Sequence, residues 1–205
     1  HVIKYRLPRN IIARMQSLEY DRSFLAARIL LDKINANMII SGAFGLFEKK
    51  TVIAVGGYDS STMGEDMELV VRLHEFSRMN RKPYKIDFAQ DAICWSQTPE
   101  KLSELGKQRK RWQRGLFQCM WGHRKMLANP RYGAVGLLSY IYFLFYELLS
   151  PFIELFGILT MVLSVMMDML NVKFMLAFLA CYALYGILLT LTAYFSRIYT
   201  IDQRL

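Results

Sequence analysis

At 205 residues, with 26 Lys and Arg against 17 Asp and Glu and a formal charge of +9, the chain has room for one ordinary domain and a small addition, and its charge calls for an anionic partner. A hydrophobic share of 54% is high for a soluble protein, and with 21% charged residues the apolar excess has to be unevenly placed. Cys94, Cys119 and Cys181 lie far apart, with no C-x-x-C and no Cys/His pair at metal-ligand spacing, which argues against a structural zinc site and requires no oxidising compartment. The first residue is His1 and no signal-peptide pattern follows, so the chain reads as a portion of a longer protein.

Nearly all the charge lies in residues 1–134, which read as a water-facing unit, whereas residues 135–205 read as a membrane region. The boundary is the turn-forming cluster Asn129-Pro130-Arg131-Tyr132-Gly133. In chain order, Asn10 to Lys33 has apolar residues at spacings near three and four and predicts an amphipathic helix, packed on a core or lying at a bilayer surface. Met38 to Phe47, short, apolar and punctuated by Gly42 and Gly45, predicts a buried strand approached closely by a ligand or another element. Lys49 to Val55 predicts a short helix ended by Gly56-Gly57. Gly64-Glu65-Asp66-Met67-Glu68 opens a helix to about Arg78, and the macrodipole alone would account for three carboxylates in its first turn. Tyr84 to Phe88 and Ala92 to Trp95 predict short strands around a turn at Gln90-Asp91, and Thr98-Pro99 predicts the cap and first turn of the next helix.

That next helix carries the basic run Gly106 to Arg124. Within it Gln108, Arg111 and Trp112 stand at i, i+3 and i+4, so an amide, a guanidinium and an indole share one face. Arg suits bidentate phosphate binding and Trp offers a flat apolar plate, a pairing that fits a ligand with an anionic end and a ring-shaped end, such as a sugar nucleotide meeting a sugar acceptor. A polybasic helix at a membrane surface, anchored by Trp112, accounts for the pentapeptide equally well. The two readings combine if Arg109, Lys110 and Arg114 face headgroups while Gln108, Arg111 and Trp112 face a site. Nucleic acid is excluded as a partner because bilayer-spanning segments follow directly. Gly136 to Met167 predicts either one long kinked element or, in the favoured reading, an interfacial helix and then a span, with Glu147 and Glu154 seven apart on one face; Phe174 to Phe195 predicts a second span. The basic run then places residues 1–134 in the cytosol, on a multi-pass protein of the inner membrane.

Gly64-Glu65-Asp66 followed by Gln108-x-x-Arg111-Trp112 and then by membrane spans resembles the membrane-integrated family 2 glycosyltransferases, the synthases of cellulose, chitin, hyaluronan and poly-N-acetylglucosamine type. The resemblance extends over Ser41 to Gly45, the Gly56-Gly57-Tyr58-Asp59 turn, His123-Arg124-Lys125 and Tyr146 to Pro151, and is closest to the poly-N-acetylglucosamine kind. It implies an α/β fold, the C-terminal half of a GT-A domain followed by interfacial and transmembrane helices. It implies inverting transfer from a UDP-sugar donor to a glycan or lipid-linked acceptor, with Asp66 as general base and Glu65 beside it. It further implies Gln108 and Arg111 on the diphosphate, Trp112 stacked on the acceptor sugar, and Ser41, Gly42 and Ala43 cradling the acceptor end.

The family also holds a divalent metal, Mg or Mn, through a D-x-D aspartate pair. No D-x-D occurs here, and Gly64 stands where cellulose synthases have threonine. The resemblance therefore assigns metal and uridine binding to a missing N-terminal part of the same domain, without which this portion should not turn over, and assigns no metal ligand to this chain. Membrane lipids complete the partners it implies. A non-processive transferase acting on a lipid carrier and a non-catalytic basic membrane module remain the alternatives.

Overall fold

The computed structural model describes residues 10–23, 28–42, 44–89, 92 and 98–202. These fold as α1 (Ile11–Arg22), α2 (Arg28–Lys33), α3 (Lys49–Ala54), α4 (Glu65–Met79), α5 (Leu102–Gly122), α6 (Val135–Leu148), α7 (Ser150–Met166) and α8 (Val172–Asp202). Two single turns of 3-10 helix, Arg124–Met126 and Pro130–Tyr132, lead from α5 to α6.

The central element is α4, which is apolar on two faces and buried on both. Leu69, Val70 and Leu73 pack with Ile86, whereas Met67 and Val71 pack with Ala36, Met38, Cys119, Met120 and the start of α6. Each such aliphatic side chain contributes about 1.5–3 kcal/mol by leaving water, so α4 is the helix against which the others are positioned. His74, wholly buried, is held by polar partners: its Nε2 lies 2.8 Å from the Asn37 carbonyl and its Nδ1 2.7 Å from the Tyr84 hydroxyl. Burial lowers the His74 pKa to about 4, so it is neutral there. The C-terminus of α4 closes with Lys82 N–H donating to Ser77 O at 2.9 Å, which requires the left-handed conformation at Arg81 (φ 51°).

The α/β, GT-A expectation is overturned: the described residues are helical or irregular, and no strand occurs among them. The apolar run from Met38 and the run Tyr84 to Phe88 lie in irregular chain and find no neighbouring strand. Side chains take the neighbour's place. Asn35 donates to the Tyr84 carbonyl at 3.0 Å and accepts from Ile86 N–H at 2.9 Å, while Asp32 accepts from Phe88 N–H at 2.7 Å. An Asn amide carries the same donor and acceptor as a peptide group, so Asn35 does at one position what a ladder would do along a strand. The second expected strand, beyond Ala92, and the turn at Gln90-Asp91 lie outside the described residues.

Asn10 caps α1 by accepting from Ile12 N–H at 2.9 Å, as the amphipathic pattern anticipates, though Ile11 (72% exposed) and Met15 (67%) face outward and Ala13 and Gln16 are the buried residues. The next helix begins at Leu102 after Lys101, three residues later than Thr98-Pro99 indicates; Thr98 is buried and caps nothing. Gly56 and Gly57, both at positive φ, end α3 as expected.

Helix α8 contains the segment Val172–Ala193, long and apolar enough to cross a membrane, with its apolar side chains outward. Helices α6 and α7 pass the same test only together and meet at a 52° bend. Pro151 explains the bend: it has no N–H to continue α6 and is well placed in the first turn of a new helix. The bend also undoes the shared face expected for Glu147 and Glu154, since one belongs to α6 and the other to α7.

Asn35→Ala strands the Tyr84 carbonyl and the Ile86 N–H together, and an unmade buried hydrogen bond costs about 1–3 kcal/mol. A lowered thermal midpoint of the detergent-solubilised protein is the expected outcome, with Asn35→Asp, which keeps the acceptor, losing less.

Candidate active site

Asp66 sits in the first turn of α4, behind the Gly64 cap, where backbone N–H groups have no helical acceptor. Its Oδ1 accepts from Met67 N–H at 2.8 Å and its Oδ2 from Gly42 N–H at 3.0 Å. A Cβ on Gly42 would stand 3.3 Å from that Oδ2, so the small residue permits the approach. The carboxylate and the 41–42 loop, which the sequence places in separate motifs, are therefore in direct contact. Glu65 is exposed beside them, and Ala43 lies outside the described residues.

Helix α5 reaches this site by backbone contact. A Cβ on Gly115 would fall 2.7 Å from Gly64 N and 2.8 Å from Gly64 Cα; one on Gly64 would fall 3.1 Å from Gly115 Cα. Gly115 is seven residues beyond Gln108, four beyond Arg111 and three beyond Trp112, so it extends their face of the helix. One turn on, Gln118 Oε1 accepts from Met63 N–H at 3.0 Å. The face that bears the amide, guanidinium and indole thus abuts the cap that precedes Asp66.

Further toward its N-terminus the same face meets α1. Gln108 accepts from the Gln16 side chain at 3.2 Å, and Trp112, 39% exposed, lies 6.2 Å from the Tyr20 ring. Burial raises the Tyr20 pKa above its ordinary value, against the opposing influence of Arg109 and a hydrogen bond with Gln108. Arg109 departs from the expected headgroup-facing set: it makes a two-pronged ion pair with Glu19, one arm at 2.7 Å, and stacks 4.9 Å above the Trp112 ring. Lys110 and Arg114 are exposed. Arg111 is exposed and has no hydrogen-bond or ion-pair partner among the described residues, a guanidinium available to an anion.

Several contributors were not legible beforehand. Arg28 at the start of α2 is lowered to about 10 by burial, while the charges of Asp66 and Glu147 pull it the other way; it remains cationic at neutral pH and near the carboxylate. Gln113 donates to the Leu148 carbonyl at 2.8 Å and ties α5 to the end of α6. Glu68, one turn from the cap of α4, binds Arg72 at 2.6 Å and His123 at 3.4 Å, and His123 also binds Glu75 at 2.6 Å. Arg72 in turn holds the Val55 and Gly57 carbonyls at 2.6 and 2.7 Å. This network fastens the end of α5 to the middle of α4. Among the described residues no group of three or more His, Cys, Asp or Glu side chains converges as a divalent ion would require, so they do not fit the metal that the resemblance implies.

The chain belongs to glycosyl transferase family group 2, whose sequence profile matches residues 1–201. Among curated relatives, the poly-beta-1,6-N-acetyl-D-glucosamine synthase of Staphylococcus aureus strain COL is 32% identical over 120 residues, 58% of this chain and 26% of the relative. Its counterpart in Staphylococcus epidermidis strain RP62A is 31% identical over 120 residues, with the same coverage. The matched stretch thus spans about a quarter of the length of these curated relatives. No solved structure matches the chain.

Gly115→Ala forces α5 off the α4 cap and is expected to cost about 1–3 kcal/mol, as overpacking does; Gly64→Ala, whose new methyl meets less severe contacts, costs less. Denaturation midpoints of the two variants check the order. The network sets a pH dependence as well. Burial opposes the charged form of His123, but Glu68 and Glu75 outweigh it and raise its pKa, so its contribution is complete below pH 6.5 and fades as pH rises through the raised value. Burial likewise opposes ionised Glu68, yet His123 and Arg72 hold it lower, so its contribution is complete above pH 4.5 and fades as pH falls through the lowered value. Melting temperature should therefore decline above pH 6.5 in the wild type, and His123→Gln should remove that decline.

Proposed function

We propose that this chain is the acceptor-side portion of a membrane-bound polysaccharide synthase that moves N-acetylhexosamine or hexose from a UDP-sugar to the end of a growing glycan. Residues 1–134 face the cytosol, and residues 135–205 form a membrane region of about two spans through which the product leaves. Family membership and the names of the relatives support the reaction class and the polymer. The observation that carries the assignment of residues is the hydrogen bond of Gly42 N–H to Asp66, made beside the helix face of Gln108, Arg111 and Trp112.

In the proposed reaction an acceptor hydroxyl oxygen attacks the anomeric carbon from the face opposite UDP, the bond to the diphosphate breaks, and the configuration inverts. Asp66 takes the hydroxyl proton as it attacks. Its two oxygens are oriented by Met67 N–H and Gly42 N–H, which fixes the direction of its remaining lone pairs. Arg111 and Gln108 hold the diphosphate, Arg111 being exposed and without an ion-pair partner among the described residues. Trp112, steadied by Tyr20 and Arg109, presents its ring to the acceptor sugar. Arg28, cationic at neutral pH, keeps positive charge near Asp66.

Asp66→Asn in the full-length enzyme keeps the shape and removes the base. Transfer is expected to fall by about 100-fold or more, the range for loss of a general base, with UDP-sugar binding retained. Incorporation of radiolabelled sugar alongside UDP-sugar titration makes the comparison, and near-normal synthesis would remove Asp66 from its role. Product masses separate a ladder of polymer lengths from a single addition to a lipid carrier.

A further inference from the structure

At the end of α4 opposite Asp66, a cleft of about 490 Å³ is lined by Ser77, Arg78, Arg81, Lys82 and Arg131, with Met79 and Pro83. Four cations converge on it and, among the described residues, no carboxylate lines it. None of the four has an ion-pair partner among the described residues. Two acids of α4 itself are engaged elsewhere, Glu68 with Arg72 and Glu75 with His123.

The cleft is also held in shape. Arg78 Nε donates to the Tyr84 hydroxyl at 3.0 Å, its guanidinium lies 5.3 Å over that ring, and its tip rests against Gly133, where a Cβ would stand 3.2 Å away. Lys82 Nζ sits 5.0 Å over the Phe76 ring. Arg81 adopts φ 51°, the conformation glycine takes most readily, so a guanidinium is kept at the rim where a side chain is disfavoured. Arg131 lies in the Pro130–Tyr132 turn, just before α6 begins at Val135, and α6 is half of the bent pair apolar enough to enter a membrane.

We propose that this cleft binds a phosphate ester, separately from the proposed transfer site. Guanidinium groups match phosphate oxygens two at a time, and four cations with a serine hydroxyl and no carboxylate favour an anion with several acceptor oxygens. The volume exceeds that of a bare phosphate and accommodates the organic part of an ester, for which Met79 and Pro83 supply apolar wall. The ester is either the headgroup of an anionic phospholipid, reached through the Arg131 turn at the membrane boundary, or a soluble phosphate ester.

The test uses the full-length enzyme in detergent and the exposed cations Arg81 and Arg131, with Arg78 left in place because it also holds Tyr84. Arg81→Gln/Arg131→Gln is compared with wild type and with a charge-matched control on α3, Lys49→Gln/Lys50→Gln. Native mass spectrometry counts phosphatidylglycerol retained against phosphatidylcholine, and thermal shift follows glycerol phosphate in solution. If the ligand is lipid, wild type and control retain a phosphatidylglycerol that the cleft variant loses, with affinity lowered about tenfold or more for the missing contacts. If it is soluble, glycerol phosphate stabilises wild type and control and leaves the cleft variant unmoved. Equal lipid retention and equal thermal shifts in all three proteins would overturn the proposal.

Discussion

Gly64 and Gly115 touch backbone to backbone, and the remaining geometry of the site depends on that contact. A methyl group on Gly115 would lie 2.7 Å from the Gly64 nitrogen, closer than a non-bonded carbon can stay. The missing side chains let the middle of α5 lie against the cap of α4, two residues before Asp66. Because Gln108, Arg111 and Trp112 share the face that ends in Gly115, their position relative to Asp66 follows from the same contact. Two further ties keep it from sliding: Gln118 to the Met63 backbone, and His123 to Glu68 and Glu75.

The site is built from segments far apart in the chain, which explains why its polar side chains support one another. The 41–42 loop reaches Asp66 across 24 positions, and α1 reaches the motif face across 90 in the Arg109–Glu19 pair. Charge alone puts Arg109 on the lipid side, yet its ring contact and its ion pair brace Trp112 instead. Gln113 carries the coupling onward to the carbonyls where α6 gives way to α7, so the helix that bears Gln108, Arg111 and Trp112 is fixed at its other flank to α6.

What was legible in the sequence follows from the range of the signal. Spacing along a helix is local, so the common face of Gln108, Arg111 and Trp112, the start of α4 after Gly64 and the end of α3 at Gly56-Gly57 could all be read directly. The strands were misread because a short apolar run fits any buried extended chain, and whether it finds a ladder depends on what lies beside it. For the run from Tyr84 that neighbour is the Asn35 side chain. Gly115 was invisible because a glycine inside a helix has no chemistry of its own; only the approach of Gly64 gives it meaning. Tyr20, Glu19 and Arg28 act through distant partners, and no spacing rule reports those.

If Gly115 acts on transfer by placing the motif helix against Asp66, a double-mutant cycle in the full-length enzyme will show the two residues coupled. Transfer rates would be compared for wild type, Asp66→Asn, Gly115→Ala and the double variant, at a temperature where all four are folded. If the two residues belong to one arrangement, the double variant is slower than Asp66→Asn alone by no more than about threefold. Losses that multiply would mean that Gly115 and Asp66 contribute independently and that the backbone contact does not set the geometry of transfer.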